Sequence, residues 1–286
     1  MGDVKTKDIT GFGTVANAVA SVTNNVINKI SHAVGVIYND STHKIKKESL
    51  RKVYEEIANN ENIDPFSKMA IISNLKQDLK YYKNQRNIIS QAINNISDDA
   101  NVDLVDDDWL NFFFDKAKNI SSEDTQKLWA KILSEEFNRP RSIPKSLIQT
   151  IYIMDYETAK VFNNICKFVL EIDSDDKYVP FLLLYEFQDE LKEYNITFDT
   201  LYELEKYGLI YSSFGSEYCT TGVKHNINIE IDGCTIVLEP NKNEEISNGN
   251  ILLSNDGKAL YKCMVTEKSK LLIKMINLIC KEHIVK

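Results

Sequence analysis

The side chains best suited to acid–base chemistry lie in one run, residues 106–140, which reads DDDWLNFFFDKAKNISSEDTQKLWAKILSEEFNRP. Its polar edge contains Asp106, Asp108, Gln126 and Glu135. Paired carboxylates share acid and base roles when their environments separate their pKa values. These four are therefore candidate catalytic residues of an acidic cleft, with or without a metal. Glu135 and Glu136 are neighbours on a helix and point in different directions, so they cannot form a tight dyad.

Other reactive residue types do not form a recognisable motif. The four histidines are scattered and the five cysteines include no CxxC pair, so neither a zinc site nor a nucleophile–base pair is indicated. No glycine-rich phosphate loop is present. The acidic loop 97–108 lacks the ligand alternation and the central glycine of an EF-hand. The sequence therefore predicts no cofactor and no metal.

Composition restricts the class of protein. The chain has 286 residues, 43% of them hydrophobic, and a formal net charge of -8. A negative charge argues against broad electrostatic capture of nucleic acid. The sequence shows neither the pattern of a secretory signal nor a run of about 18 apolar residues. We expect a cytoplasmic protein with reduced thiols.

The spacing of the apolar residues predicts that most of the unusual side chains of the run face the core. One helix is predicted to begin near Trp109, with the preceding aspartates at the positive end of its dipole. A second helix is predicted to follow Ser121 or Ser122, a typical N-cap. Aromatic stripes at this spacing are usually core. The predicted structural core consists of Trp109, Phe112, Phe113, Trp129, Leu133 and Phe162.

The N-terminal part of the chain is predicted to form helices. Residues 14–37 have an apolar face of valine, alanine and isoleucine and an almost uncharged polar face. Such a helix resembles lipid-packing sensors at a membrane interface, but it also suits packing on its own protein or on a second copy. A helix ending near Ala58 and another beginning at Pro65 then predict a long helical hairpin.

The order of residues in the run closely resembles the signature of a bacterial family named domain of unknown function 2806, over about residues 102–165. The residues that carry the resemblance are Asp108-Trp109, Phe112-Phe113, Ala117, Ile120-Ser121, Gln126, Leu128-Trp129-Ala130, Ile132-Leu133, Glu135 and Pro140. The resemblance implies no established activity. Arg141 and Pro144 stand where the family has the glycine and the second serine of a Pro-Gly-Ser-aromatic-Ser turn.

A looser resemblance is to the abortive-infection alpha proteins of bacterial phage defence. It lies in the Leu-Trp-Ala helix and the acid-capped helix that follows it. This resemblance implies a defence or stress context and supplies no catalytic residues.

The C-terminal part mixes helices and short strands. A helix ending in Gly208-Leu209-Ile210, a hairpin with Asp232-Gly233 at its turn, and the pattern Leu-Ser-x-x-Gly-x-x-Leu at 253–260 are similar to winged-helix domains. A final amphipathic helix is predicted over 267–283. The candidate recognition helix, 197–207, offers Glu203, Glu205 and only Lys206. This favours a protein-interaction module over a DNA-binding one.

The predicted fold is mainly α, with an N-terminal helical stalk or hairpin, a central helical bundle and a C-terminal winged-helix-like α+β module. The predicted segments are 1–40, 41–100, 101–175 and 176–286. The favoured function is action through a protein partner or a homo-oligomer in phage defence or stress response. Membrane association through residues 14–37, at the inner face of the membrane, is left open. The alternatives are an enzyme with the acidic cleft and a winged-helix DNA-binding regulator.

Overall fold

The computed structural model describes residues 10–35, 40–169, 188–213, 215–231, 234–247, 249–264 and 267–272. These residues form ten α-helices, one 3-10 helix and six short strands, and the prediction of a mainly helical fold is confirmed. Within these ranges, no helix has both the length and the hydrophobicity needed to cross a membrane. The chain divides into two compact units, residues 1–145 and 146–286.

The first unit is helical. Its elements are α1 (Thr10–Val34), α2 (Asp40–Asn59), α3 (Pro65–Ile93), a 3-10 turn (Val102–Leu104), α4 (Asp107–Ala117) and α5 (Glu123–Asn138). The core forms where α3 packs on α4 and α5 and where α1 packs on α4. The helical hairpin predicted from the sequence corresponds to α2 and α3.

The start of α3 follows from local chemistry. The Asp64 carboxylate accepts the backbone N–H groups of Phe66 and Ser67, each at 3.0 Å. Pro65 fits the first helical position because that position needs no N–H donor. The end of α2 is tied to the start of α3 because the Lys68 ammonium donates to the Ala58 carbonyl at 3.1 Å.

The second half of α1 packs on the protein itself. Val26 and Ile30, on the predicted apolar face, are buried. The Lys29 ammonium lies 2.8 Å from the Asp107 carboxylate, at the start of α4, and this hydrogen bond lowers the pKa of Asp107. Of the two interpretations of residues 14–37, these contacts agree with packing on the protein's own core.

The second unit combines helices with short strands. Its helices are α6 (Lys145–Ile153, beginning one residue before the unit boundary), α7 (Tyr156–Cys166), α8 (Gln188–Lys192), α9 (Phe198–Lys206) and α10 (Asn255–Cys263). Its strands are β1 (Ile210–Ser212), β2 (Cys219–Thr221), β3 (Ile227–Ile231), β4 (Cys234–Leu238), β5 (Glu245–Ser247) and β6 (Ile251–Leu253).

The six strands form three two-stranded sheets that follow one another in a nested order, and we call the three together the ribbon. β1 pairs with β6, β2 with β5 and β3 with β4, all antiparallel. The innermost pair is the hairpin that the sequence predicts, with Ile231 opposite Cys234. Its turn, Asp232-Gly233, lies outside the described residues, as does most of the predicted helix 267–283.

The two ends of the ribbon are locked together next to α9 and α10. Gly208 ends α9 with a φ of 69°, a conformation that favours glycine. Ser254 donates its backbone N–H to the Leu209 carbonyl at 3.0 Å. A Cβ on Gly257 would lie 1.9 Å from that same carbonyl oxygen, so only glycine fits there.

The four-segment division predicted from the sequence stays a prediction. The boundary between the two compact units lies between residues 145 and 146, inside the predicted segment 101–175.

Candidate functional site

The first polar residue of the run, Asp106, starts a helix. Its carboxylate accepts the backbone N–H of Trp109 at 2.8 Å, which satisfies one of the free donors at the start of α4. Asp107 and Asp108 lie in the first turn, where negative charge complements the helix dipole. Asp108 is exposed. The aspartates therefore have a structural role in beginning α4.

The aromatic side chains form a continuous buried seam between α4 and α5. The rings of Trp109 and Phe113 are stacked with centroids 5.1 Å apart, and Phe113 lies 5.0 Å from Trp129. Of the six predicted core residues, five are buried and Phe112 is half-buried. Phe114, which is not among the predicted core residues, is fully buried.

The two neighbouring glutamates of α5 differ in their surroundings. Glu135 is half-buried and its carboxylate lies 3.5 Å from the Arg139 guanidinium. Its neighbour Glu136 is only 1% exposed. The Glu136 carboxylate accepts the backbone N–H of Arg141 at 2.6 Å and that of Ile143 at 2.9 Å. The buried carboxylate of the run is therefore Glu136, and its partners are backbone donors.

Burial raises the pKa of Glu136, against the opposing effect of its backbone hydrogen bonds. The nearby negative charge of Asp106 raises this pKa further. A raised carboxyl pKa can mark an acid–base catalyst. Here the carboxylate oxygens are occupied by backbone N–H groups, which indicates a structural anion site that holds a turn.

We call residues 139–143 the Glu136 turn. Arg141 takes a φ of 70° in this turn, the left-handed region that favours glycine. The indole N–H of Trp109 donates to the Ile143 carbonyl at 2.8 Å. The turn is therefore bound by α5 through Glu136 and by α4 through Trp109.

The sequence did contain a signal for Glu136. It lies seven residues after Trp129 and three after Leu133, so it falls on the apolar face of α5. A carboxylate in that position needs hydrogen-bond partners when it is buried. The chain supplies them from the turn that follows the helix.

Gln126, the third candidate catalytic residue, belongs to a buried amide network. Its side-chain amide donates to the Ile120 carbonyl at 2.8 Å and lies 3.4 Å from the Asn84 side-chain oxygen. Asn84 in turn donates to the Lys118 carbonyl at 2.8 Å. The network joins α3 to the loop between α4 and α5, and its members satisfy one another.

The four candidates do not lie together at one end of the molecule. Gln126 is in the first turns of α5, and Glu135 is nine residues further along the same helix, a rise of about 14 Å. Asp106 caps the start of α4. Among the described residues, no group of three or more histidine, cysteine, aspartate or glutamate side chains is placed to hold a metal ion.

The first unit also has a surface hollow of about 560 Å³. Apolar side chains from α1, α3 and α4 line it, and the Asp115–Lys118 pair, 2.7 Å apart, lies at its polar side. The hydrogen bond from Lys118 lowers the pKa of Asp115. The hollow therefore has the Asp115–Lys118 ion pair and the Asp78 carboxylate beside an apolar wall.

The second unit exposes aromatic side chains on α9. Phe198 is 61% exposed and Tyr202, one turn later on the same face, is 51% exposed. Leu201 and Leu204 fill the opposite, buried face. The Lys206 ammonium pairs with Glu203 at 2.7 Å and lies over the Tyr202 ring. Large exposed apolar side chains of this kind commonly mark interaction surfaces.

Comparison with known proteins identifies a family for this chain. No curated protein and no solved structure matches the chain. A family model described as "Protein of unknown function (DUF2806)" matches residues 70–277, which extends the resemblance predicted from residues 102–165 and confirms it. Since the match covers most of the chain, the protein belongs to the family of unknown function DUF2806.

Proposed function

We propose that this protein acts through contacts with a protein partner in phage defence or stress response, and that the exposed face of α9 binds that partner. The observation that carries the proposal is the pair of exposed aromatic side chains, Phe198 and Tyr202, beside acidic side chains on the same short helix. Aromatic side chains are enriched in protein–protein interfaces, and tyrosine is among the residue types enriched at the few positions that carry most of the binding energy.

The charge of α9 supports a protein partner over DNA. A helix that reads the major groove brings arginine or lysine to phosphates and base edges. On α9 the basic side chain is Lys206, and it is already paired with Glu203. Glu205 accepts the Ser212 hydroxyl at 2.7 Å, next to the first strand of the ribbon. A helix with this charge repels a phosphate backbone.

The proposal includes a winged-helix-like module built from α9, the β-ribbon and α10. The close approach of Gly257 to the Leu209 carbonyl supports it, because it fixes the helix that follows the ribbon against the helix before it. In this proposal the ribbon is the wing and α9 takes the place of the recognition helix. In this proposal the exposed surface of α9 binds a protein and not DNA.

The defence context is supported by the resemblance to abortive-infection alpha proteins. For membrane association, the burial of Val26 and Ile30 is an opposing observation, because lipid would have to compete with the protein core for this part of α1. The proposal places the protein in the cytoplasm, bound at most peripherally to the inner face of the membrane. The enzyme alternative is opposed by the site's geometry, because Gln126 and Glu135 lie about 14 Å apart along α5.

The test is phage challenge of a bacterial host that expresses the chain. We expect wild-type protein to reduce phage plating and the double variant Phe198→Ser/Tyr202→Ser to lose that protection while remaining folded. Tyr156→Ser is the matched control, because Tyr156 is an exposed aromatic residue on α7. Protection that survives in the double variant would refute the role of α9.

The enzyme alternative is separated in the same assay. Asp108→Asn/Glu135→Gln should protect as well as wild type, because the proposal gives these side chains no chemical role. Loss of protection by that variant, with unchanged stability, would favour the acidic cleft.

A further inference from the structure

We infer that the α2–α3 hairpin is a self-association surface, through which two copies of the chain pair side by side and antiparallel along α3. The inference goes beyond the proposed function, since it concerns a different surface in the other unit. The supporting observation is the exposure of the hairpin's side chains over residues 51–81.

The part of the hairpin before α3 enters the core, residues 51–81, is only thinly covered by its own chain. No side chain from residue 51 to residue 81 is buried, and the first buried residue of α3 is Tyr82. Helices in proteins gain most of their stability from packing an apolar face. The apolar side chains of α3 in this part, such as Ile72 and Leu75, are only partly covered. A second covered face would supply the missing burial.

The outer face of α3 has a regular pattern. One set of its exposed residues recurs at alternating spacings of three and four, the spacing of a helix–helix contact; the set is Phe66, Met69, Ser73, Lys76, Lys80 and Lys83, and Ala70, Ile71, Asn74, Gln77 and Asp78 are exposed beside it. Phe66 is 75% exposed and Met69 is 63% exposed. The next position, Asn87, is half-buried and its side-chain amide lies 3.4 Å from that of Gln126, so the exposed seam ends where α3 enters the core.

The seam is apolar near the tip of the hairpin and basic near its base. Exposed carboxylates at the tip, Glu61 and Asp64, add negative charge to the apolar end. A partner with the same polarity reversed would therefore be complementary in both shape and charge. A second copy turned end for end has that polarity.

An antiparallel pair centred near Ser73 satisfies the whole seam. Phe66 of each copy then faces Lys80 of the other, where the lysine stem covers the ring and the ammonium lies near its face. Met69 faces Lys76, and the small Ser73 allows the helices to cross closely. The acidic tip reaches Lys83. A two-fold axis repeats each contact, as in most homodimers.

A parallel pair is disfavoured by the same residues. It would set the lysines of one copy against those of the other and the two acidic tips against each other, and like charges in contact repel. The charge pattern therefore selects the antiparallel arrangement.

The test is the mass of the full chain in solution, measured by sedimentation over a range of concentrations. We expect twice the chain mass of 32.8 kDa. Phe66→Ser should raise the dimer dissociation constant about tenfold or more, because the two-fold axis repeats the change and two aromatic contacts are lost. Tyr156→Ser, at an exposed aromatic residue of the other unit outside α9, is the matched control and should leave the dimer intact.

Charge reversal tests the orientation. Lys83→Glu and Glu61→Lys should each weaken the dimer, and combining them should restore it, because the pair is then reversed and intact. A wild-type chain that stays monomeric at all concentrations overturns the inference. A dimer whose dissociation constant is unchanged by Phe66→Ser and by the charge reversals also overturns the inference. Phage protection by a monomeric chain would leave the proposed function standing.

Discussion

Trp109 and Glu136 both bind the backbone of Ile143. The Trp109 indole N–H donates to its carbonyl oxygen at 2.8 Å, and the Glu136 carboxylate accepts its N–H at 2.9 Å. An aromatic residue and a carboxylate that stand out in the sequence thus have the same task. They fix the Glu136 turn to both helices of the aromatic run.

Replacing Glu136 by glutamine should destabilise the first unit by about 1–3 kcal/mol, because the amide nitrogen cannot accept the backbone N–H that the carboxylate oxygen accepts. The measurement is urea unfolding followed by tryptophan fluorescence. Both tryptophans, Trp109 and Trp129, lie in the first unit, so this signal reports that unit. Glu135→Gln is the matched control and should change stability little, since Glu135 is half-buried and faces one arginine.

The pKa of Glu136 also predicts a pH dependence. Its pKa in the folded protein is raised above the ordinary value of 4.5. Between those two values the folded state binds more protons than the unfolded state, so this group makes stability fall as pH rises. The stability of wild type relative to Glu136→Gln should therefore increase when unfolding is measured at about pH 5 instead of about pH 7. A relative stability that decreases toward acid would contradict the raised pKa.

Arg141→Gly should stabilise the protein by about 0.5–1 kcal/mol, because glycine adopts the φ of 70° without steric cost and loses part of that gain through a freer unfolded chain. The Arg141 side chain is exposed, so its loss removes no buried contact. Arg141→Ala keeps a Cβ and should stay within about 0.5 kcal/mol of wild type. Equal effects of glycine and alanine would argue against strain at this position.

Trp109→Phe should cost more than Trp129→Phe, although Trp129 is the more deeply buried. The first change leaves the Ile143 carbonyl without its indole donor, at a cost of about 1–3 kcal/mol beyond the lost volume. The indole nitrogen of Trp129 is buried without a hydrogen-bond partner among the described residues, so its removal gives up no such bond. Chemical denaturation of both variants measures the difference. Truncation of Trp129 to alanine should cost about 3–5 kcal/mol.

Gly257→Ala should destabilise the second unit by at least about 2–3 kcal/mol, because its Cβ would overlap the backbone of Leu209. Gly215→Ala is the matched control, since a Cβ there meets no atom within 4 Å. Thermal unfolding followed by circular dichroism compares the two. A Gly257 variant as stable as the Gly215 variant would show that α10 is free to move away from Leu209.

The sequence predicted the helices of the run because their signals are local. The aspartates at the start of α4, the serine before α5, the aromatic periodicity and the proline at the start of α3 are signals that each depend on residues within a few positions. The β3–β4 hairpin was predictable for the same reason. The pairing of β1 with β6 joins segments about forty residues apart, and no local pattern specifies such a pair.

Two features of the site depend on tertiary contacts and could not be predicted from local sequence. With three phenylalanines in succession, a rotation of α4 by one residue exchanges Phe112 for Phe114 in the core, and only the packing of α3 and α5 decides between them. Glu136 escaped selection because its partners are backbone N–H groups. Those groups converge on it only when Arg141 adopts a left-handed conformation.

The central claim, that the polar residues of the run hold the fold, is tested most directly by a double-mutant cycle between Trp109 and Glu136. Urea unfolding would be measured for Trp109→Phe, Glu136→Gln and the combined variant, with Trp129 as the fluorescent probe. Because both side chains bind Ile143, we expect a coupling free energy of about 0.5–3 kcal/mol. Effects that add to within about 0.3 kcal/mol would mean that the two residues act independently, which contradicts a shared structural role.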